Sequence, residues 1–126
     1  MIPSAKPHNR QIGQDGETLA ERFLKQQGHR IIEKNWRCRL GEIDLITTHG
    51  RDLHFVEVKT RHTDRYGSPL LAITAHKQAK LRRLAEAYLA HHFPARPFAN
   101  LNFSCLGIRM TSGTPEFDWR PGGFGV

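Results

Sequence analysis

The sequence has few cysteines, no long apolar run and no internal repeat. Only Cys38 and Cys105 occur among its 126 residues, so a disulfide framework is excluded. No apolar segment approaches the ~20 residues that cross a bilayer. The N-terminal segment MIPSAKPHNR lacks the apolar core of a secretory signal. We therefore expect a cytoplasmic protein that does not associate with a membrane.

Acidic residues are also scarce. The chain has 12 Asp and Glu against 19 Lys and Arg, which gives a net charge of +7 and a pI near 10.0. A basic balance favours a polyanionic partner such as nucleic acid, although net charge alone fits a well-solvated basic surface equally well. The basic residues cluster on one predicted helix and around one acidic hairpin, which favours nucleic acid. The residues predicted to bind it are Arg37, Arg61, Arg65, Lys77, Lys80 and Arg82.

Hydrophobic periodicity predicts two helices. Apolar residues recur at helical spacing from Arg10 to Gln27, and Gly28 is a typical helix stop. Thr74 is a typical N-cap for a second helix that ends near His92. The first helix therefore comes before all the predicted strands, and the second interrupts them.

Short apolar segments predict four or five strands. Three precede the second helix and one or two follow it: Arg30 to Arg39, Gly41 to Thr47, Leu53 to Thr60, Leu101 to Arg109 and an optional Glu116 to Trp119. This order predicts an α/β fold with a mixed sheet, in which the first three strands are antiparallel and a right-handed crossover makes the fourth parallel to the third. We expect one domain over residues 10–119, a flexible arm over 1–9 and a loose tail over 120–126.

Two carboxylates and a lysine stand in a predicted hairpin that is otherwise apolar. Asp44 lies on its first strand, and Glu57 and Lys59 share one face of its second. Unpaired charges buried in such a strand are costly, so a compensating group is needed. Mg²⁺ and Mn²⁺ prefer carboxylate and carbonyl oxygens. Asp44, Glu57 and the Val58 carbonyl are therefore the candidate ligands.

This donor set predicts metal-assisted hydrolysis of phosphodiester bonds. A bound ion would acidify a water molecule and neutralise the charge that grows on the phosphate, while Lys59 orients the nucleophile or stabilises the transition state. The alternative is an ion pair of Lys59 with Asp44 or Glu57 at an exposed sheet edge, which contributes about 0 to 1 kcal/mol. An edge pair does not account for the apolar residues that bury both faces of the hairpin.

Two further polar residues lie beside predicted apolar faces. Glu17 is at the edge of the apolar stripe of the first helix, where it either forms a solvated ion pair with Arg22 or Lys25 or turns toward the sheet. Gln78 follows Lys77 near the start of the second helix. The periodicity does not decide whether these two are surface groups or are aimed at a polar site.

Four motifs resemble a known family. They are GxxGExxAxxFL at 13–24, Asn-Trp-Arg at 35–37, GEIDLI at 41–46 and FVEVKTR at 55–61. The sequence is similar to the bacterial YraN-like family over roughly residues 10–110. The spacing of Asp44 from the Glu-Val-Lys triplet also resembles the PD-(D/E)xK nuclease superfamily, which includes restriction endonucleases and archaeal Holliday-junction resolvases. The resemblance implies a restriction-endonuclease-like mixed sheet and a single-domain nuclease-like protein.

The same resemblance implies roles for individual residues. Asp44 and Glu57 would be the metal ligands, and Lys59 would be the catalytic base or an electrostatic helper. Glu17 would be an added acidic group near the metal. Gln78 resembles a polar helix residue that some members of the superfamily place in the site.

The sequence departs from the family pattern at two places. Ile43 precedes Asp44 where the superfamily's name has a proline, which is a common departure. Asn102, Phe103 and Ser104 stand on the fourth predicted strand where related chains carry an Arg-Phe-Asp-like stretch. The contribution of the fourth strand to function is therefore left open.

Three functions fit these patterns. The first is a metal-dependent endonuclease-like enzyme that hydrolyses DNA, at branched or single-stranded structures in repair or recombination by analogy with resolvases. The second is a nucleic-acid-binding protein of nuclease fold that does not cleave. The third is a basic scaffold in which the acidic cluster is only an ion pair. The sequence leaves monomer and homodimer open, although two cuts in a symmetric junction need two sites.

Overall fold

A computed structural model describes residues 7–62, 74–111 and 113–123, with side chains from Gly16 onward. The predicted nucleic-acid contact Arg65 lies outside the described residues. Two helices and five strands follow the predicted order: α1 Pro7–Gln26, β1 Arg30–Cys38, β2 Gly41–His49, β3 Asp52–Arg61, α2 Ala75–His92, β4 Asn100–Arg109 and β5 Glu116–Arg120. The optional fifth strand is therefore present.

The five strands form one mixed sheet in the order β1-β2-β3-β4-β5. The first three are antiparallel, β4 is parallel to β3, and β5 is antiparallel to β4. The connection from β3 to β4 contains α2, as a parallel pair requires. The predicted α/β architecture is confirmed, and it is consistent with a restriction-endonuclease-like fold.

Each face of the sheet has its own hydrophobic core. On one face Phe55 packs with Leu84 and Tyr88 of α2. On the other face Val56 packs with Leu24 of α1. Consecutive residues of β3 thus point to opposite helices, because side chains alternate along a strand. Glu57 and Lys59 belong by this alternation to the α2 face, with Phe55.

Both ends of α1 are set by local residues. The helix begins at Pro7, three residues before the predicted start, because a proline has no N–H to lose in the first turn of a helix. Residues 7–9 are therefore helical and are not part of an arm. Gly28 adopts a φ of 92°, and the His29 N–H donates to the Leu24 carbonyl at 2.9 Å. This is a Schellman motif, so the predicted glycine stop is confirmed.

No helix in the described part of the chain is both long enough and apolar enough to cross a membrane. The cytoplasmic location and the limits of the single domain remain predictions.

Candidate functional site

The pairing of β2 with β3 runs from His49↔Asp52 to Leu45↔Val56. Asp44 is the next residue of β2 beyond that register. Its Oδ2 accepts a hydrogen bond from the Val58 N–H at 2.8 Å. The Asp44 carboxylate thus accepts a hydrogen bond from a backbone N–H of β3 just past the last β2–β3 pair. This places the Asp44 side chain between the two strands.

Asp44, Glu57 and Lys59 lie together at this point, as the sequence predicts. Lys59 Nζ is 3.5 Å from Glu57 Oε1, and both side chains are mostly buried. Burial and the neighbouring Glu57 charge raise the pKa of Asp44 to about 7, while the hydrogen bond from Val58 opposes that rise. The two carboxylates are therefore close enough to repel each other, and one lysine does not offset their combined charge.

Glu17 is brought to the same region by Gly16. Gly16 is buried, and a Cβ added there would lie 2.5 Å from Thr60 Oγ1, so α1 lies directly on β3. The partly buried Glu17 follows it, and its carboxylate lies within hydrogen-bonding distance of the Asn35 amide. Lys25 pairs instead with Glu21. Of the two alternatives for Glu17, its contact with β1 favours orientation toward the sheet.

Sequence reasoning missed two polar residues of this site, Asn35 and Glu42. Turned so that its nitrogen faces acceptors, the Asn35 amide donates to Glu42 Oε2 at 2.9 Å and to Glu17 Oε1 at 3.2 Å. Arg37 Nε donates to Glu42 Oε1 at 2.8 Å. Both missed residues lie inside motifs that carry the family resemblance, and Glu42 stands two positions before Asp44. We call Glu42, Asp44 and Glu57 of the sheet, together with Glu17 of α1, the carboxylate end.

Basic residues of α2 line a cavity of about 150 Å³ beside this end. Lys77 and Lys80 line it together with Glu42 and Glu57. A hydrogen-bonding contact with Lys59, together with the charge of Lys59, lowers the pKa of Lys77. The carboxylates therefore have ammonium groups from both β3 and α2 around them.

The other predicted polar and basic residues vary in their distance from this cavity. Gln78 is partly buried in the first turn of α2 and is not among the residues that line the cavity, so its role remains a prediction. Arg82 lies over the Phe103 ring, 5.7 Å from its centroid. The Arg61 Nε is buried and has no hydrogen-bond partner within the described ranges, although the Arg61 charge acts on Lys77.

The donor set fits a hard cation in its chemistry. Carboxylate oxygens and a backbone carbonyl are the ligands that Mg²⁺ and Mn²⁺ prefer. Within the described residues, no three His, Cys, Asp or Glu side chains already converge on a point where an ion would sit. The candidate ligands Asp44, Glu57 and the Val58 carbonyl include only two such side chains.

Comparison with known proteins agrees with the motifs. The model of the "Uncharacterised protein family UPF0102" matches residues 16–110. The chain belongs to the UPF0102 family. This is the YraN family of the restriction-endonuclease-like superfamily, as the resemblance predicted. A UPF0102 protein of Geobacter metallireducens is 37% identical over 117 residues, which cover 93% of this chain and 94% of the relative.

A second relative and one solved structure are also similar to this chain, but only the relative is similar enough to support an argument. A UPF0102 protein of Symbiobacterium thermophilum is 55% identical over 82 residues, which cover 65% of this chain and 70% of the relative. The solved structure of Pyrococcus furiosus SfsA in complex with Ca²⁺ has a TM-score of 0.36 and 16% identity, and the match covers 90% of this chain and 63% of that one. A similarity at this level supports no statement about fold or function.

The opposite end of the sheet in this UPF0102 chain holds a second polar cavity, of about 340 Å³. We call its three lining histidines, His29, His49 and His54, the histidine end. The His29 and His54 side chains are buried, and burial lowers the pKa of each, that of His29 to about 4. His29 Nδ1 is 2.8 Å from the buried Thr47 hydroxyl.

The departure from the UPF0102 pattern on the fourth strand lies at this histidine end. His54 Nδ1 is 2.9 Å from Ser104 Oγ, which also accepts the Gly122 N–H at 3.0 Å. Asn102 lines the same cavity. Asn102 and Ser104 therefore belong to the surroundings of neutral imidazoles, and His54 lies three residues before Glu57 on β3.

Proposed function

We propose that this UPF0102 protein is a metal-dependent, endonuclease-like enzyme that hydrolyses phosphodiester bonds of DNA. The observation that carries the proposal is that Asp44, Glu57 and Lys59 lie close together just beyond the last β2–β3 pair, Leu45↔Val56. Gathering like charges in a partly buried place destabilises the free protein, and sites that do so are enriched in catalytic function. Membership of a restriction-endonuclease-like family supports the same interpretation.

The ligands in this proposal are Asp44, Glu57 and the Val58 carbonyl, with Mg²⁺ or Mn²⁺ as the cation. When bound, the ion supplies Lewis-acid stabilisation of the phosphate and lowers the pKa of water. The Val58 N–H fixes the orientation of the Asp44 carboxylate. The Lys59 ammonium, already directed to the site by Glu57, stabilises negative charge that develops on the phosphate oxygens.

The DNA contacts in this proposal are the basic side chains around the cavity. Lys77 and Lys80 would contact backbone phosphates next to the scissile one, with Arg37 and Arg61 on either side. Such contacts give affinity without sequence preference. Arg82 is a more distant contact, since its guanidinium lies over Phe103. Branched or single-stranded DNA as the substrate rests on analogy with resolvases alone.

The second candidate function is nucleic-acid binding without cleavage. One observation favours it: Glu57 is already paired with Lys59, so a cation would have to displace an existing ion pair. A protein of this kind would keep the basic surface and the fold, and it would bind DNA with the salt dependence of phosphate contacts.

Cleavage of labelled DNA separates the two candidates. Duplex, single-stranded, flap and four-way-junction DNAs are incubated with wild type in Mg²⁺ and in Mn²⁺, beside Glu57→Gln and Lys59→Ala purified identically. Lys25→Ala serves as a matched control, because it removes a lysine that pairs with Glu21, away from the cavity. We expect both site variants to lose at least about 100-fold in rate, and Lys25→Ala to keep it.

The other outcomes decide against the enzyme. Cutting that all four proteins share equally comes from a contaminant. No cutting, combined with salt-dependent retardation of DNA in a gel, supports the binding protein. If the protein neither cuts DNA nor retards it, both candidates are wrong and the basic scaffold is the remaining function.

A further inference from the structure

The rings at the histidine end pack against one another and against the edge strand β5. The centroid of the His29 ring lies 4.8 Å from the ring centroids of both His49 and His54. The Trp119 indole of β5 is centred 5.4 Å from His29 and 5.8 Å from His54. His29 is 8% exposed and His54 is 5% exposed. One side chain of β5 therefore packs on both buried imidazoles.

A chain of hydrogen bonds joins His54 to the residues that follow β5. The Gly122 N–H donates to Ser104 Oγ at 3.0 Å, and Ser104 Oγ lies 2.9 Å from His54 Nδ1. Because the Ser104 oxygen accepts from Gly122, its own O–H can donate to the unprotonated Nδ1 of a neutral imidazole. A protonated imidazole has no acceptor nitrogen. Protonation of His54 would therefore take that acceptor away from the buried Ser104 hydroxyl.

The charges around the two buried rings do little to stabilise an imidazolium. Burial lowers the pKa of His29, and the charges of His54 and His49 lower it further. Burial also lowers the pKa of His54, while Asp52 opposes that change and His49 adds to it. Asp52 is the one carboxylate among the described residues that line the cavity. The remaining lining residues are uncharged: Gln27, Asn102, Trp119 and Pro121.

The strand β5 is the part of this cluster that can separate from the sheet at the smallest cost. It has five residues and lies at the end of the sheet next to β4, whereas β3 and β4 have a strand on each side. Besides this pairing, stacking of Phe117 on Phe23 at 4.6 Å holds the strand to α1. Local opening of such an element costs less free energy than unfolding of the whole chain. Its separation would admit water to both imidazoles, which favours their charged form.

We propose that the histidine end is an acid-sensitive switch in which protonation of His29 and His54 separates β5, with Trp119, from the rest of the sheet. At neutral pH both imidazoles are uncharged and the strand stays paired. As pH falls from about 6.5 to about 4, the ordinary and the lowered pKa of His29, the open form binds protons that the closed form excludes. The population of the open form therefore rises. This inference is independent of the proposed function.

Hydrogen exchange of the full chain, followed by NMR at pH 7.5 and pH 4.5, tests the inference. Each amide rate is divided by the intrinsic rate at the same pH, which gives a protection factor. For wild type we expect the β5 amides that bond to β4 to lose about 50-fold in protection, as the difference between a pKa of 6.5 and one of about 4 implies for His29. Their protection should stay below that of Val56 in the central strand β3, because β5 opens without the rest of the chain.

A protein that cannot titrate at these two positions is the main comparison. The changes His29→Gln and His54→Asn keep a hydrogen-bonding group for Thr47 and Ser104. We expect the double variant to show no loss of β5 protection between the two pH values. Each single variant should retain part of the loss, which keeps the test available if the double variant does not fold. His91→Gln is the matched control, because it removes an exposed histidine of α2, and we expect it to behave as wild type.

Each other result overturns the inference. Protection of β5 that is the same at both pH values in wild type means that the strand does not respond to histidine charge. A loss in the double variant as large as that in wild type assigns the response to another group. A single protection factor shared by β5 and Val56 at pH 4.5 means that the whole chain opens and the edge strand does not open by itself.

Discussion

The two ends of the sheet treat buried ionisable groups in opposite ways. At the histidine end, burial lowers the pKa of His29 to about 4, so the imidazole is neutral near pH 7. It shares one hydrogen bond with the Thr47 hydroxyl. At the carboxylate end, burial and Glu57 raise the pKa of Asp44 to about 7, so this carboxyl group binds a proton at a much higher pH than an ordinary aspartate does.

The difference separates a packed polar cluster from a candidate binding site. Each buried imidazole has one ring nitrogen within hydrogen-bonding distance of a buried hydroxyl, so the chain itself supplies a polar partner for each. The carboxylate end has a residue at positive φ and a raised acid pKa. In the proposed function, a bound cation would relieve those charges. The two ends should therefore respond with opposite signs to pH.

The largest expected change in the free energy of unfolding comes from replacing Asp44. Its raised folded pKa means that the folded state binds more protons than the unfolded state between about pH 4 and 7, so this group lowers stability as pH rises. In EDTA at pH 8, we expect Asp44→Asn to be more stable than wild type by about 2 to 4 kcal/mol, with the gain shrinking toward pH 4. Urea unfolding at both pH values measures it.

The control for Asp44→Asn makes the same chemical change elsewhere. Asp118→Asn removes a carboxylate that pairs with Arg120 at the surface, and we expect no stabilisation from it. An Asp44→Asn protein less stable than wild type at pH 8 would contradict the picture of uncompensated charge at the carboxylate end.

The next largest change is expected from replacing His29, whose titration makes stability depend on pH with the opposite sign. Its lowered folded pKa means that the unfolded state binds more protons between about pH 4 and 6.5, so wild type loses stability as pH falls. Glutamine can still bond to Thr47 but does not titrate. Relative to His29→Gln, we expect wild type to lose about 2 to 3 kcal/mol between pH 7.5 and 4.5. Parallel stability curves for the two proteins would refute this.

A third comparison uses Gly16 within α1 and Gly28 just after it. Gly16→Ala places a Cβ 2.5 Å from Thr60 Oγ1, and we expect a loss of about 1 to 2 kcal/mol after the gain in helix propensity. Thr60→Ala removes that oxygen and should restore most of the loss in the double variant. Gly28→Ala should lose about 1 kcal/mol through its φ of 92°, with no rescue from Thr60→Ala. Thermal unfolding of the single and double variants measures the coupling.

The smallest effect is expected at Arg37. Its ion pair with Glu42 is largely exposed on the arginine side, and such pairs contribute little. We expect Arg37→Ala to change the free energy of unfolding by less than about 1 kcal/mol, while reducing DNA affinity if the proposed contacts form. A larger stability loss would mean that Arg37, with Asn35, is part of what holds the carboxylate end together.

Much of the fold was predictable because its signals are local. The glycine stop at Gly28, the N-cap at Thr74 and the alternation through Phe55 and Val56 each depend on a few neighbouring residues. The start of α1 was misplaced by three residues, since Pro7 and its neighbours carry no apolar pattern. Sequence spacing also brought Asp44, Glu57 and Lys59 together correctly, because register along a hairpin follows from its turn.

Asn35 and Glu42 were not predicted as site residues, for a physical reason. Their partners are contributed by α1 and by a neighbouring strand, so their importance depends on distances that no single segment encodes. The same holds for Ser104, whose hydroxyl is bonded to His54 across two parallel strands. A polar residue inside a strand motif has the same sequence pattern whether it is solvated or bonded.

The amino-acid sequence by itself determined the order of the elements, the mixed sheet, the family and the three central residues of the candidate site, since these follow from periodicity, turn chemistry and motif spacing. Only the tertiary structure decided which charges lack compensation. It placed Gly16 against Thr60, directed Glu17 to Asn35 and separated the carboxylate end from the histidine end. Electrostatic energies depend on distance and burial through the folded chain, and neither is a property of local sequence.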